Sequence, residues 1–278
     1  MTNPNGTPEP VLITFPPSLD SELSRFLVTH YGIAHVERRH TMMFCFFSTL
    51  LHGSTFVFPL LYSNSYKLVG PRPISEYFDA RCPADLQLWP EAATEKSQVE
   101  SDWNQFNDTL AWATADFAYY YLLPHREIMI GPLSQGTPDY EQKAVERAYP
   151  VFAGLLNVLL RLSAQRTQAS LELMRSIFAA VDARLASGAK YLVGDRLTMS
   201  DLAFSVAAAP VLLPTEYGGP IPPFDQMPGE VQAVIKEMRG HPAGAFALRI
   251  YAEQRNRFGA GEAPPAASAG QVRAAGSA

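Results

Sequence analysis

Several groups of side chains in this sequence have the types and spacing to bind or activate something. Thr198 and Asp201 stand three residues apart, just before an almost uncharged helical run. That is the spacing of a reciprocal helix cap, in which the hydroxyl accepts from the backbone near Asp201 and the carboxylate returns to the N–H of Thr198. Ser18 and Asp20 stand where a short apolar strand gives way to a helix, and either can cap it. Arg38, Arg39 and His40 form a basic group able to hold a carboxylate, and the alternative is an ordinary solvated cluster. His52 precedes Gly53 at a turn. Cys45 lies among Phe44, Phe46 and Phe47 and reads as a small apolar residue rather than a nucleophile, and Cys82 precedes Pro83 without an assigned role. With 2 cysteines there is neither a disulfide framework nor a cysteine-rich zinc site, and the 6 histidines show no ligand spacing. Neither a Walker motif nor a dinucleotide glycine motif is present.

The chain that must position these groups has 278 residues, 47% of them hydrophobic and 18% charged, enough for a real core. Its net charge of -5 gives no general pull on nucleic acid, and the cytoplasm is the expected compartment. No secretory signal is expected, since Met1–Pro10 is polar. From Thr41 to Tyr66 there is no Asp, Glu, Lys or Arg. The length would allow a membrane span, but His52-Gly53-Ser54-Thr55 and Pro59 divide it into a helix near 42–51 and a strand near 55–62.

The order over the first 80 or so residues reads β-α-β-(α)-β-β-α, from the strand at 11–15, through the helix stopped by Gly32 and a strand at 34–38, to the hairpin ending at Val69 and a helix after Gly70-Pro71. Beyond Pro90 only helices are expected, over 95–122, 140–162 with a kink at Pro150, 170–185, 199–213, 230–239 and 243–255. This is an α/β domain over 10–83 followed by an all-helical domain over 95–256, with flexible tails over 1–9 and 258–278.

The run Tyr191-Leu192-Val193-Gly194-Asp195-Arg196-Leu197-Thr198-Met199-Ser200-Asp201 resembles the signature of the helical domain of cytosolic glutathione transferases. The strand order of the first domain is similar to the thioredoxin-like domain of that family, with Phe58-Pro59 where the family has a cis-proline. The resemblance spans roughly residues 11–255. It implies a thioredoxin-like domain, a helical domain and catalysis away from Thr198 and Asp201. By it, Phe58 offers its backbone to the cysteinyl part of glutathione, beside Pro59, and Ser18 falls on the serine-type activating position, with Ser21 as the fallback. A hydroxyl at a helix N-terminus can donate to a thiolate and lower its pKa.

One part of the resemblance departs from the family pattern. Gly70 and Pro71 replace the acid-serine pair that holds the γ-glutamyl end, leaving Arg72 to meet a carboxylate there. Arg39 and His52 are further candidates for the peptide-like ligand. Off-stripe aromatics on the first long helix, Trp112 and Tyr119, would line the pocket of an apolar co-substrate, or would form a dimer contact or simply pack. The resemblance implies glutathione as co-substrate, a hydrophobic electrophile, a homodimer, a role in detoxification, and neither a metal nor a membrane span. The alternative is a non-catalytic ligand-binding or interaction protein on the same fold, which Gly70-Pro71 favours.

Overall fold

The computed structural model describes residues 9–256, so the tails expected over 1–9 and 258–278 lie, apart from Glu9, outside the described residues. The N-terminal unit runs β1 (Val11–Thr14), α1 (Leu19–His30), β2 (Val36–Arg39), α2 (Met42–Leu51), β3 (Leu60–Tyr62), β4 (Lys67–Val69) and α3 (Pro71–Asp79). The sheet order is β2-β1-β3-β4, with β1 parallel to β2 and antiparallel to β3. Leu12, Ile13, Leu60 and Leu61 are fully buried in its centre, and Leu23, Phe26 and Leu27 bury the facing side of α1. This is the thioredoxin-like arrangement that the element order predicts.

Register decides what meets at the sheet's edge. Thr14 pairs with Arg39, Ile13 with Leu60, and Leu60 with Val69. The ends of β1, β2 and β4 and the start of β3 therefore share one edge, where Ser18, Arg39, Phe58-Pro59 and Gly70-Pro71 emerge. The strand expected over 55–62 is shorter than its apolar run. Phe58-Pro59 is cis, and pairing begins only at Leu60, because a proline cannot donate to the ladder.

The helical unit runs α4 (Ala93–Gln105), a π-helical turn over Phe106–Leu110, α5 (Ala111–Leu122), α6 (Arg126–Ser134), α7 (Asp139–Leu160), α8 (Ala164–Leu185), α9 (Met199–Leu212), α10 (Gly229–Gly240) and α11 (Pro242–Gln254). The single helix expected over 95–122 is thus broken by the π turn, and Trp103, Phe106, Leu110, Ala113 and Phe117 are all buried along it. Helix α6 has no counterpart in the sequence expectation, because Gly131 and Pro132 interrupt its periodicity. The kink in α7 falls at Ala148, and the Glu146 carbonyl four residues before Pro150 accepts from Arg126 Nη2 at 3.0 Å. Helix α9 is buried on nearly every side and packs on α5 and α11. No helix among the described residues is long and apolar enough to cross a membrane.

Polar contacts tie the two units together. Asp79 accepts from the N–H groups of Leu88 and Trp89 in the connection, and Met199 N donates to Leu88 O at 3.0 Å. Arg184 on α8 grips Asp102 on α4 with two bonds of 2.8 and 2.7 Å and also reaches Leu192 O at 2.9 Å. This fixes the loop that precedes α9.

Candidate functional site

Ser18 is the N-cap of α1. Its hydroxyl accepts from Ser21 N at 3.3 Å, it is half-buried, and its proton goes to no acceptor among the described residues. Asp20 lies inside the first turn and is not the cap. Ser21 has the opposite character: it is fully buried and its hydroxyl accepts from Phe15 N at 3.2 Å, which closes the turn between β1 and α1. Of the two serines, Ser18 is the one accessible to a ligand.

Across the edge, the Phe58 ring meets Phe15 edge-on at 5.7 Å and Phe46 at 5.0 Å. The backbone N–H and C=O of Phe58 have no hydrogen-bond partner among the described residues, whereas the Pro59 carbonyl accepts from Gly70 N at 2.9 Å. Gly70 has φ of 82° and Pro71 follows as the first residue of α3, a conformation that favours glycine. Ser18, the Phe58 backbone and the Gly70-Pro71 helix start therefore stand around one edge, with two helix N-termini facing it.

The basic residues expected at this edge are already engaged. Arg39 donates to Glu37 at 3.1 and 3.0 Å and to Gly218 O at 2.8 Å. Arg72 donates to Glu76 at 2.8 Å and Glu100 at 2.7 Å, and its guanidinium stacks over Trp89 at 5.1 Å. Neither is an open carboxylate receptor; Arg72 instead joins α3 to α4. Ser75, three residues further on, is buried and accepts from Trp89 Nε1 at 3.1 Å. His52 sits at the other end of the sheet. Its ring packs on Tyr62 at 4.7 Å, and Tyr62 pairs with Val11, the far end of β1 from Ser18.

Residues that the sequence reading passed over complete the edge. Glu22 accepts from Gly218 N at 3.0 Å, Arg255 Nε at 3.0 Å and Arg25 Nη1 at 3.2 Å. Glu37 accepts from Thr14 at 2.6 Å and from Arg25 Nε at 2.7 Å. Burial alone would raise the Glu37 carboxyl, but Arg25, Thr14 and Arg39 together hold it down at about 2. Through this network the segment 214–222 lies across the β1–α1 turn. A Cβ on Gly219 would come within 2.5 Å of Pro16 O, so glycine is needed for that close approach. The Gly218-Gly219 pair within a Pro-rich run was the available signal. A second bridge joins Glu141 of α7 to the start of α2. The fully buried carboxylate accepts from Thr41 N and His40 Nδ1, each at 2.7 Å.

Beside Ser18 an apolar cavity opens between the units, lined by its two neighbours Pro17 and Leu19 and by Tyr119, Met129, Tyr217 and Ile221, among others. Burial raises the hydroxyls of Tyr119 and Tyr217 well above the ordinary tyrosine range, so both stay neutral donors. The Tyr217 hydroxyl donates to Pro17 O at 3.4 Å. Tyr119 thus lines the cavity. Trp112 does not: it is 54% exposed and lines a separate outer groove with Leu159, Arg166 and Leu173. Helix α5 meets the cavity from Ala115 onward, whereas Trp112 stands in its first turn, about two turns before Tyr119.

At the start of α9 the capping box is present, with the Asp201 carboxylate accepting from Thr198 N at 2.7 Å, Thr198 Oγ1 at 3.0 Å and Leu192 N at 2.8 Å. Both residues are buried and neither lines the cavity beside Ser18, a structural role as expected.

Comparison with known proteins agrees with this architecture. Residues 115–238 match the family model described as glutathione S-transferase, C-terminal domain. No curated protein matches the sequence. Among solved structures, a glutathione S-transferase from Sinorhizobium meliloti 1021 is similar, with 16% identity, 87% of this chain and 93% of that chain covered, and a TM-score of 0.52. The beta-etherase LigF from Sphingobium sp. strain SYK-6 has 14% identity, 87% and 99% coverage, and a TM-score of 0.54. A glutathione S-transferase from Rhodospirillum rubrum F11 has 16% identity, 88% and 99% coverage, and a TM-score of 0.51. At such identities the likeness is one of fold. Residues 115–238 carry the glutathione S-transferase C-terminal domain, and the chain as a whole has the glutathione S-transferase fold.

Proposed function

We propose that the chain is a glutathione transferase that holds glutathione at the edge formed by Ser18, Phe58 and Gly70 and passes its thiolate to a hydrophobic electrophile in the adjoining cavity. The observation that carries this reading is the pairing of a half-open Ser18 hydroxyl with the unpartnered backbone of cis-linked Phe58. Peptide-like ligands are well matched by an exposed N–H and C=O of one residue, which act like a strand edge. Ser18 would donate to the sulfur while the N-terminus of α1 favours its negative charge. The thiol proton leaves to solvent. The thiolate then forms a C–S bond at the electrophilic carbon, with a leaving group departing or, in an addition, a proton taken up from water. Tyr119 is a neutral donor placed to meet a polar atom of that electrophile, while Tyr217, which donates to Pro17 O, walls the cavity. Detoxification in the cytoplasm is the corresponding cellular role.

A second reading, a ligand-binding protein without turnover, is favoured by one feature. Pro71 offers no N–H and no side-chain acceptor, and Arg72 is committed to Glu76 and Glu100. The γ-glutamyl end would then rest on the backbone at Gly70 and the N-terminus of α3. Calorimetric titration with glutathione, repeated on Ser18→Ala, separates the readings. Transfer requires binding at millimolar ligand or tighter and a bound-thiol pKa that rises in the variant. No binding at millimolar ligand defeats both the transferase and its site. Binding with an unchanged thiol pKa defeats the role of Ser18 and leaves the binding protein.

A further inference from the structure

We propose that the outer groove between α5, the end of α7 and α8 is a second binding site, for a small aromatic zwitterion such as an aromatic amino acid or dipeptide. The inference does not depend on the transferase reading. Room for a ligand comes from small residues: Ala113 of α5 and Ser170 of α8 line the groove and are buried, between the partly open side chains of Leu159 and Leu173. Beside them stands Trp112, 54% exposed, whereas Trp89 and Trp103 are buried. A large flat ring left open along a groove is a stacking surface.

Two polar groups on the same groove are unfinished. Asp116, one turn after Trp112 on α5, is only 2% exposed. Its Oδ2 accepts from Arg166 Nε at 2.5 Å, but its Oδ1 is buried with no hydrogen-bond partner among the described residues. A buried carboxylate oxygen without a donor is costly to fold around. Arg166 has a side chain 44% exposed, and a swing of its stem opens Oδ1 to the groove that Asp116 lines. The second group is Arg161, which ends α7 in the left-handed region with φ of 52°. There Leu162 N donates to Asn157 O at 3.1 Å and Arg161 N to Val158 O at 3.2 Å, a turn that glycine makes at least cost. The turn has no use for a long side chain. Yet the Arg161 guanidinium lines the groove and meets neither an acceptor nor a ring among the described residues.

These groups define the ligand. Asp116 Oδ1 lacks a donor, and an ammonium is the strongest one available to it. Arg161 lacks an acceptor, and a carboxylate matches its planar fork. Trp112 takes a flat ring. Asp108 and Asp116 balance Arg161 and Arg166 around the groove, so its lining favours a ligand without net charge. A hydrocarbon would leave both unfinished groups as they are, and a simple anion would meet two carboxylates. An aromatic zwitterion satisfies the ring and both charged ends together.

Fluorescence titration of the full chain, excited where only tryptophan absorbs, tests this with phenylalanine and with phenylalanyl-glycine, whose charged ends lie further apart. The expected result is a saturable change in emission with at least one of them at millimolar ligand or tighter, absent from Trp112→Phe. Arg161→Gly should weaken binding about tenfold. Glycine suits the turn, so this variant should resist urea at least as well as the parent, and the lost affinity then reads the guanidinium rather than the fold. Phenethylamine and 3-phenylpropionate, each lacking one charged end, should bind about tenfold more weakly than phenylalanine. The disadvantage of 3-phenylpropionate should shrink in Asp116→Asn. No saturable change with either probe overturns the proposal, as does a change that persists in Trp112→Phe or an affinity that Arg161→Gly leaves unaltered. Binding abolished by Tyr119→Ala would place the ligand in the cavity beside Ser18, and the proposal would fall.

Discussion

Two helix starts in this molecule use the same chemistry and end in opposite states. At Thr198 a hydroxyl residue and a carboxylate three positions later close a buried box, and the donors around them are taken. At Ser18 a hydroxyl residue caps α1 with one long bond to Ser21 N, stays half-open and keeps its proton uncommitted. The first arrangement fixes the helical core and has nothing left to offer a ligand. The second completes its helix only loosely and retains a donor at a positive helix end. A cap becomes a candidate for chemistry when it is left unfinished beside a cavity.

The largest effect is expected at the closed cap. Asp201→Ala leaves the Thr198 and Leu192 N–H groups buried without an acceptor and should cost about 3 kcal/mol or more of unfolding free energy, read by urea denaturation. A loss below about 1 kcal/mol would erase the difference between the two caps. The same carboxyl carries a pH signature. Burial raises it from 3.8 to about 6 against the pull of the Leu192 and Thr198 bonds. The folded state therefore holds the Asp201 proton more tightly than the unfolded chain. The stability this contributes is full below 3.8 and is lost as pH rises through about 6. Between about pH 4 and pH 7 the stability advantage of the parent over Asp201→Asn should narrow by about 3 kcal/mol. An advantage that widens over this range would reverse the sign assigned to burial.

The closed cap was legible from sequence because it is local: Thr198 and Asp201 lie within one turn of each other. The cis bond at Pro59 and the place of Ser18 at the start of α1 came instead from the family resemblance. What sequence reading missed depends on contacts far apart in the chain. Arg39 is engaged by Gly218 and Arg72 by Glu100, partners 179 and 28 residues away, and these distant bonds complete what the nearby Glu37 and Glu76 begin. Glu141 reaches Thr41 across 100 residues. The π turn escaped notice because the spacing of Trp103, Phe106, Leu110, Ala113 and Phe117 is also that of an unbroken α-helix. Trp112 and Tyr119 part company because they lie about two turns apart along α5, one at the outer groove and the other at the cavity.

At the open cap a smaller thermodynamic effect is expected, with a larger chemical one. Ser18→Ala should lower stability by about 1 kcal/mol or less, since its one bond to Ser21 N is long and solvent can replace it. If the proposed function holds, the same change should raise the pKa of bound glutathione by one or more units, measured by thiolate absorbance. If instead the substitution costs as much stability as Asp201→Ala, Ser18 is a structural cap and the contrast between the two helix starts disappears.

The smallest stability effect sharpens the contrast along the helix that lines the cleft. Trp112→Ala removes a large aromatic ring, yet the ring is more than half exposed, so the change should stay within about 0.5 kcal/mol. It should also leave the KM for a hydrophobic electrophile unchanged, because Trp112 lines no part of the cavity beside Ser18. Tyr119→Ala, on the same helix and seven residues later, enlarges that cavity and should raise this KM several-fold while the affinity for glutathione holds. The pair reads the separation between the two ends of α5 directly. Equal effects of the two substitutions on KM would place both rings against one ligand and remove the separation between cleft and outer groove. A silent Trp112 and a sensitive Tyr119 locate the electrophile between Pro17, Leu19 and α5, with the half-open cap at its edge.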